Sequence, residues 1–252
     1  MFSAGPLEVR WYGLMFAFGL LLTYWYIWSL YRREKLQTSD FDSLAIYLFI
    51  GMLLGARFGH VFFYEASYYL AHPLEILQVW KGGLASHGGA IGVTLAYYLW
   101  LRVHKKKFSM YSDLLAMGFP IVSGFVRLGN FFNSEINGFA TDGSYGVIFK
   151  QLGEDFPRHP VQLYAVLMNW SVFLILFIIY RKWYKHLPKL FITFLYILLY
   201  FAGRFIVEYW KDLHWFSADF PLSMGQVLSI GPILIAIFGL YWVLKKNRRK
   251  TT

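Results

Sequence analysis

The 252-residue chain contains no cysteine, and only 15% of its residues are charged, against about 25% in an ordinary soluble domain. Without cysteine there is no disulfide framework, no thiolate metal site and no cysteine nucleophile. Any thiol chemistry must use the thiol of a substrate. Acidic residues are scarce, 14 against 24 lysines and arginines. There is no Walker A loop, no serine nucleophile elbow and no HExxH, and no internal repeat or low-complexity linker. What remains is apolar. Hydrophobic residues make up 58% of the chain and aromatics 21%, and mean hydropathy is +0.44. A soluble domain, a disordered chain, a coiled coil and a collagen-like chain are excluded. The composition is that of an all-α polytopic membrane protein.

Seven apolar runs are long enough to span a bilayer: 11–30, 43–63, 84–101, 114–132, 161–180, 190–209 and 222–244. Their connections separate the basic residues. Arg32, Arg33 and Lys35 follow the first run, and Arg102 and Lys105 to Lys107 follow the third. Arg181, Lys182, Lys185 and Lys189 follow the fifth, and Lys245, Lys246, Arg248, Arg249 and Lys250 follow the seventh. The alternate connections carry only Arg10, Lys81, Lys150, Arg158 and Lys211. The positive-inside rule puts the N-terminus outside and the C-terminus in the cytoplasm, which an odd number of spans requires. The basic excess is therefore a topology signal, and nucleic acid is not an expected partner. Residues 1–10 lack the basic region of a cleavable signal peptide. The expectation is one integral membrane domain over 1–252, with a small extracytoplasmic head at about 134–159. A short interfacial helix is expected between 65 and 83.

Ionisable groups inside spans are functional candidates. Arg57, Arg127 and Arg204 all lie near the outer ends of their runs. Each alone could snorkel or pair internally, but three on one side favour a shared anionic ligand, since guanidinium binds phosphate bidentately. Tyr200, Arg204 and Glu208 share one helical face, where Glu208 could hold Arg204. Arg127, Asn130 and Asn133 form a second polar stripe leading to Glu135. Lys81-Gly-Gly-Leu-Ala-Ser-His87-Gly-Gly-Ala-Ile-Gly92 opens the third run. Its glycines would let backbone approach an anion at a helix N-terminus or let two helices pack closely. His87 is there either a structural donor or a catalytic group. Asp142, Glu154 and Asp155 read as a solvated loop rather than a cation site, and no metal or cofactor is expected.

Seven segments, taken in order, resemble one known family. They are Arg10-Trp-Tyr-Gly-Leu-Met15, Gly55-Ala-Arg-Phe-Gly59, Gly82-Gly-Leu-Ala-Ser-His-Gly-Gly89, Arg127-Leu-Gly-Asn-Phe-Phe-Asn133 with Glu135 and Gly138, Arg158-His-Pro-Val-Gln-Leu-Tyr164, Arg204-Phe-Ile-Val-Glu208 and Leu222-Ser-Met-Gly-Gln-Val-Leu-Ser229. The sequence is similar to the prolipoprotein diacylglyceryl transferases. It departs from the common pattern at Val126, Ser134, Ala165 and Gly231. The resemblance implies a bacterial inner-membrane enzyme that moves the diacylglyceryl group of phosphatidylglycerol to the lipobox cysteine of a prolipoprotein signal peptide, releasing glycerol phosphate. It implies functional roles for Tyr12, His87, Arg127, Asn130, Glu135, Gly138, Tyr200 and Arg204. Among these, Arg127 and Arg204 are read as the phosphate clamp and His87 as the base for the thiol, with the donor phosphate as the alternative proton acceptor. Asn130, Glu135 and Tyr200 are read as orienting groups, Tyr12 as a cap on the cavity or a donor-lipid contact, and Arg57, Asn133 and Glu208 as supports. Two rival classes share the composition. One is a non-catalytic protein that binds or transports anionic phospholipid, and the other is a receptor-like seven-span protein whose arginines pair internally.

Overall fold

The computed structural model describes residues 2–4, 7–9, 11–79, 82–212 and 221–251. Arg10 and Lys81, both used in the sequence reading, lie outside the described residues, as do positions 213–220. Each of the seven apolar runs forms a helix. In chain order the helices are α1 (Trp11–Arg33), α2 (Thr38–Phe63), a short α3 (Ala66–Ala71), α4 (Ser86–Val103), α5 (Phe108–Phe132), α6 (Val161–Trp183), α7 (Phe191–Val207) and α8 (Met224–Thr251). Among the described residues, six helices are long and apolar enough to cross a membrane; α4 is not one of them. It has 18 residues, about 27 Å at 1.5 Å per residue, and its first turn, Ser86-His-Gly-Gly89, is polar. Before α1 lies a small antiparallel hairpin, Phe2–Ala4 with Leu7–Val9, that hydropathy did not indicate.

Two helices begin earlier than their apolar runs because the carboxylates at their starts are satisfied. In α2, Asp40 pairs with Lys106 at 2.6 Å. In α5, buried Asp113 accepts from the Leu190 and Thr193 amides at 2.7 and 2.8 Å and from the Thr193 hydroxyl at 2.7 Å. It thereby caps the start of α7 from another helix, supplying acceptors to amides that no residue of α7 itself caps.

The chain divides into two compact units, Met1–Ile27 with Tyr111–Thr252, and Trp28–Met110. In the first, α5 is the most enclosed span. Small residues along it admit large neighbours. Gly118 faces Thr23 and Ile27, Gly124 faces the Trp170 indole, and Gly129 faces the Tyr12 ring. The Phe125 side chain in turn covers Gly19 of α1. α8 starts with a reciprocal capping box, in which the Ser223 amide donates to Gln226 Oε1 at 2.9 Å and the Gln226 amide to Ser223 Oγ at 3.2 Å.

In the second unit, Gly51, Gly55 and Gly59 of α2 lie against Gly88, Gly92 and Ala96 of α4. A Cβ on Gly59 would stand 2.8 Å from Gly88 Cα, and one on Gly55 would overlap the Gly88 carbonyl. This is the small-xxx-small packing that lets membrane helices approach to backbone contact. The connection between these helices contains α3 and a 3-10 turn at Pro73–Leu77. It is fastened by Arg57, which is 3% exposed. Its guanidinium donates to the carbonyls of Glu75 (2.5 Å), Ile76 (2.8 Å), Gly82 (2.8 Å) and Gly83 (3.2 Å) and lies 4.8 Å from the Tyr69 ring centroid.

Candidate active site

Of the three membrane arginines, Arg57 is thus fully engaged by the backbone of its own loop. The other two belong to the first unit and line one cavity there. Its wall is formed by α5 (Arg127), α6 (Gln162, Ala165, Met168, Asn169) and α7 with the turn after it (Tyr200, Arg204, Val207, Glu208, Lys211). The space between these side chains is open at its mouth, and the roughly 470 Å³ of non-atom space around it includes open solvent.

The α5 side of the wall is built by the helix end. Ser134 takes a left-handed backbone, φ 55°, which turns the chain so that the Glu135 amide donates back to the Asn130 carbonyl at 2.9 Å. The turn also presents the Glu135 carboxylate to its own helix. Asn130 Nδ2 donates to Glu135 Oε2 at 2.9 Å, and Asn133 Nδ2 to Oε1 at 3.1 Å. With its amino group held, Asn130 aims its carbonyl oxygen at Arg127 Nη1, 3.4 Å away. Arg127 is therefore oriented by a neutral amide rather than by a carboxylate. The Tyr12 ring packs on Gly129, 3.1 Å from where a Cβ would lie, and its phenol is within electrostatic range of Glu135 and Arg127.

On α7, Tyr200, Arg204 and Glu208 all reach the same cavity, as their spacing indicated. Glu208 does not hold Arg204. It pairs with Lys211 at 3.4 Å, and its carboxylate occupies the space where Gly225 of α8 lacks a side chain. Among the described residues the Arg204 guanidinium has no hydrogen-bond or ion-pair partner. The wall thus carries three cations against one carboxylate. Lys211 lies just past the apolar stretch of α7. Burial holds its ammonium below the ordinary lysine value; Glu208 opposes the shift, and Arg127 and Arg204 reinforce it. The sequence reading counted Lys211 only as an outer-loop charge. The signal that identifies it is spacing, since it continues the 200, 204, 208 stripe by three more residues.

The head closes over the same end. Gly138 bridges Lys211, and its amide donates to the His159 carbonyl at 3.1 Å. A Cβ at Gly138 would press on His159 Cβ at 2.6 Å and on the Trp210 carbonyl at 2.5 Å. Arg158 gathers the head. It makes two bonds to Glu154 at 2.6 and 2.7 Å, one to Asp212 at 2.7 Å and one to the Gly138 carbonyl at 3.1 Å. This partner set lowers the Glu154 carboxyl below its ordinary value, chiefly through the Arg158 hydrogen bonds.

The structure therefore brings Arg127, Tyr200, Arg204 and Glu208 to one cavity. Asn130, Asn133, Glu135 and Tyr12 stand behind Arg127, and Gly138 is at the head. His87 belongs to the second unit. It lies exposed in the first turn of α4 and has no hydrogen-bond partner among the described residues. Of the glycines around it, Gly88 and Gly92 pack against α2, so their spacing serves the helix pair rather than a ligand cradle.

Comparison with known proteins gives the family. A family model described as prolipoprotein diacylglyceryl transferase matches residues 1–242. The phosphatidylglycerol–prolipoprotein diacylglyceryl transferase of Tolumonas auensis is 43% identical over 251 residues, covering 99% of this chain and 96% of its own. That of Chloroherpeton thalassium is 38% identical, covering 100% and 94%, and that of Bacteroides fragilis is 36% identical, covering 99% and 95%. With its motifs, its helices and these whole-length matches, the chain belongs to the prolipoprotein diacylglyceryl transferase family.

Proposed function

We propose that this protein transfers the diacylglyceryl group of phosphatidylglycerol to the cysteine thiol of the prolipoprotein lipobox. A carbon–sulfur bond forms and a carbon–oxygen bond to the donor phosphate breaks. The electron pair leaves with glycerol phosphate. The observation that carries this reading is that Arg204, which lines the same cavity as Arg127, has no partner among the described residues. Permanent positive charge held there without a carboxylate partner needs an anion, and a phosphodiester headgroup supplies one. The same charges stabilise the phosphate as it departs.

In this reading Arg127 and Arg204 clamp the phosphate. Asn130, Glu135 and Asn133 orient Arg127, Glu208 positions Lys211, and Tyr200 and Tyr12 touch the donor. Gly138 lets the head approach the cavity. A cysteine thiol with an ordinary pKa of about 8.5 is mostly protonated at neutral pH, so its proton needs an acceptor, to which His87 is assigned. The alternative acceptor is the donor phosphate. A pH–rate profile that is the same for wild type and an active His87→Gln variant would exclude the histidine.

The setting is one multi-pass domain in the bacterial inner membrane. Seven helices cross it, α4 included, with the N-terminus and the head outside and the basic α8 end in the cytoplasm. On that orientation α3 and its 3-10 turn lie at the outer interface, where Leu70, Leu74 and Leu77, each at least 72% exposed to solvent, enter lipid.

The test is a transfer assay with purified protein, phosphatidylglycerol and a lipobox peptide, read by mass spectrometry beside a Cys→Ser peptide. A diacylglyceryl adduct on the cysteine peptide alone is the expected result. Bound lipid without any adduct would favour a binding or transport protein instead.

A further inference from the structure

The cavity wall carries more positive charge than one phosphodiester uses. Arg127, Arg204 and Lys211 line it against the single carboxylate of Glu208. Arg127 and Arg204 both act electrostatically on the Lys211 ammonium, so the three cations share one field. Arg204 has no hydrogen-bond or ion-pair partner among the described residues. The α6 side of the wall adds no charge, since Gln162, Met168 and Asn169 are neutral. Glu135 stands behind Asn130, and each of its oxygens accepts from an asparagine amide. Three cations against one carboxylate leave an excess of two positive charges at the wall.

The charge on the phosphate changes during the proposed transfer. A phosphodiester headgroup carries a single negative charge. When the carbon–oxygen bond breaks, the electron pair stays on that oxygen, and glycerol phosphate leaves as a monoester. The second pKa of a phosphate monoester is about 6, so at neutral pH it holds a charge of about −1.5 to −2. The wall therefore matches the departing group better than it matches the donor. That direction lowers a barrier, because charge that develops in the reaction meets charge already in place. The same excess acts once the reaction is over. We infer that the cavity is a phosphomonoester site, which binds the dianion of glycerol phosphate more tightly than a phosphodiester of the same headgroup, so that released product competes with the next phosphatidylglycerol. This rests on the proposed transfer and adds to it a second ligand class and a feedback on the same site.

The competition depends on pH through the second proton of the ligand. The titratable groups that face the cavity are Tyr200, Glu208 and Lys211, with Tyr12 and Glu135 behind Arg127. At the head, His159 lies across the Gly138 bridge, and Arg158 pairs with Glu154 and Asp212. A diester keeps its single charge throughout and meets the same groups, so the ratio of monoester to diester inhibition isolates the ligand.

The experiment assays purified full-length protein for transfer from phosphatidylglycerol to a lipobox peptide at pH 7.5 and pH 5. The inhibitors are glycerol phosphate and its methyl diester. At pH 7.5 the monoester is expected to inhibit about tenfold more strongly, in competition with phosphatidylglycerol. At pH 5, about nine-tenths of it carries only one charge, and the ratio falls to within about twofold. Glu208→Gln removes the carboxylate and should widen the ratio at pH 7.5 by about threefold, and Lys211→Gln should narrow it by about as much, the effect of one unit charge in partly solvated surroundings. Lys211→Arg keeps the charge and should keep the wild-type ratio. A merely structural effect would move both esters alike. A ratio near one at pH 7.5, a ratio that ignores pH, or a shift in the same direction in both glutamine variants would overturn the assignment. Phosphatidic acid, a lipid-borne monoester, separates the two sources of a phosphate dianion. Inhibition by phosphatidic acid with none by glycerol phosphate would place the affinity in the acyl chains and overturn the product feedback. If no lipid yields an adduct, the transfer reading fails, and thermal stabilisation by monoester against diester still decides the phosphomonoester site.

Discussion

Two regions of this molecule bury polar atoms between helices in opposite ways. Between α2 and α4 the backbones meet directly, because glycine lies opposite glycine, and the arginine beside them, Arg57, has four carbonyl acceptors. Around the cavity of α5, α6 and α7 the side chains are long, the helices enclose open space, and the polar groups are left incomplete. Arg204 has no partner among the described residues, and Gln162 and Asn169 each keep an unmatched oxygen. The contrast separates structural from ligand-directed polarity better than charge or burial does. All three arginines are membrane arginines near a span end. What distinguishes them is how many of their hydrogen bonds the described residues supply: four for Arg57, one for Arg127 and none for Arg204.

The largest expected effect comes from filling the closed region. In Gly88→Leu the new side chain meets the Gly55 carbonyl and Gly59 Cα, which are backbone and cannot move aside. The expected outcome is loss of folded protein, read as the disappearance of a monodisperse peak in detergent. The open region tolerates truncation but loses its chemistry. Arg127→Ala should insert normally and lose transfer by about a thousandfold, the order of effect of removing a charge-stabilising donor. Full transfer by that variant would mean the cavity does not hold the phosphate.

A smaller effect concerns Lys211. Its ammonium is charged below its own lowered pKa and neutral above it, so the third cation of the cavity disappears before the ordinary lysine value of 10.5. Affinity for anionic lipid should therefore weaken on the alkaline side earlier than a solvated lysine dictates. Folding stability moves the other way over the same window, rising with pH, because the unfolded chain still holds the proton that the folded chain has released. Lys211→Arg does not titrate there and should flatten the binding curve; an unchanged curve would sink the idea. The smallest effect is at Ser134, whose φ of 55° suits glycine. Ser134→Gly should raise stability by about 0.5–1 kcal/mol, measured by thermal unfolding, with the Asn130–Glu135 contact intact.

Much of this was legible in the sequence. Seven apolar runs became seven helices. The 200, 204, 208 spacing put three side chains in one cavity, and the Arg127 stripe did lead to Glu135. What escaped was pairing across distance. Nothing in the order of residues shows that Arg57 is engaged by carbonyls 18 to 26 positions later, or that Asp113 caps a helix beginning near 190. Spacing left open that Glu208 holds Arg204, one turn before it; its partner is Lys211, one turn after, and helical periodicity alone does not choose between the two.

The glycine seam also sets a schedule for synthesis. α2 is complete at Phe63, while the partner that covers its glycine face is not complete until Val103. At roughly 5–20 residues per second, the ribosome needs a few seconds to make that stretch. During that interval the glycine face of α2 has no partner, and Arg57 waits for carbonyls of a connection still being translated. The helix is an unfinished half until its second half arrives, and a pause in translation between these positions would lengthen the time that a charged residue spends unaccompanied at the membrane.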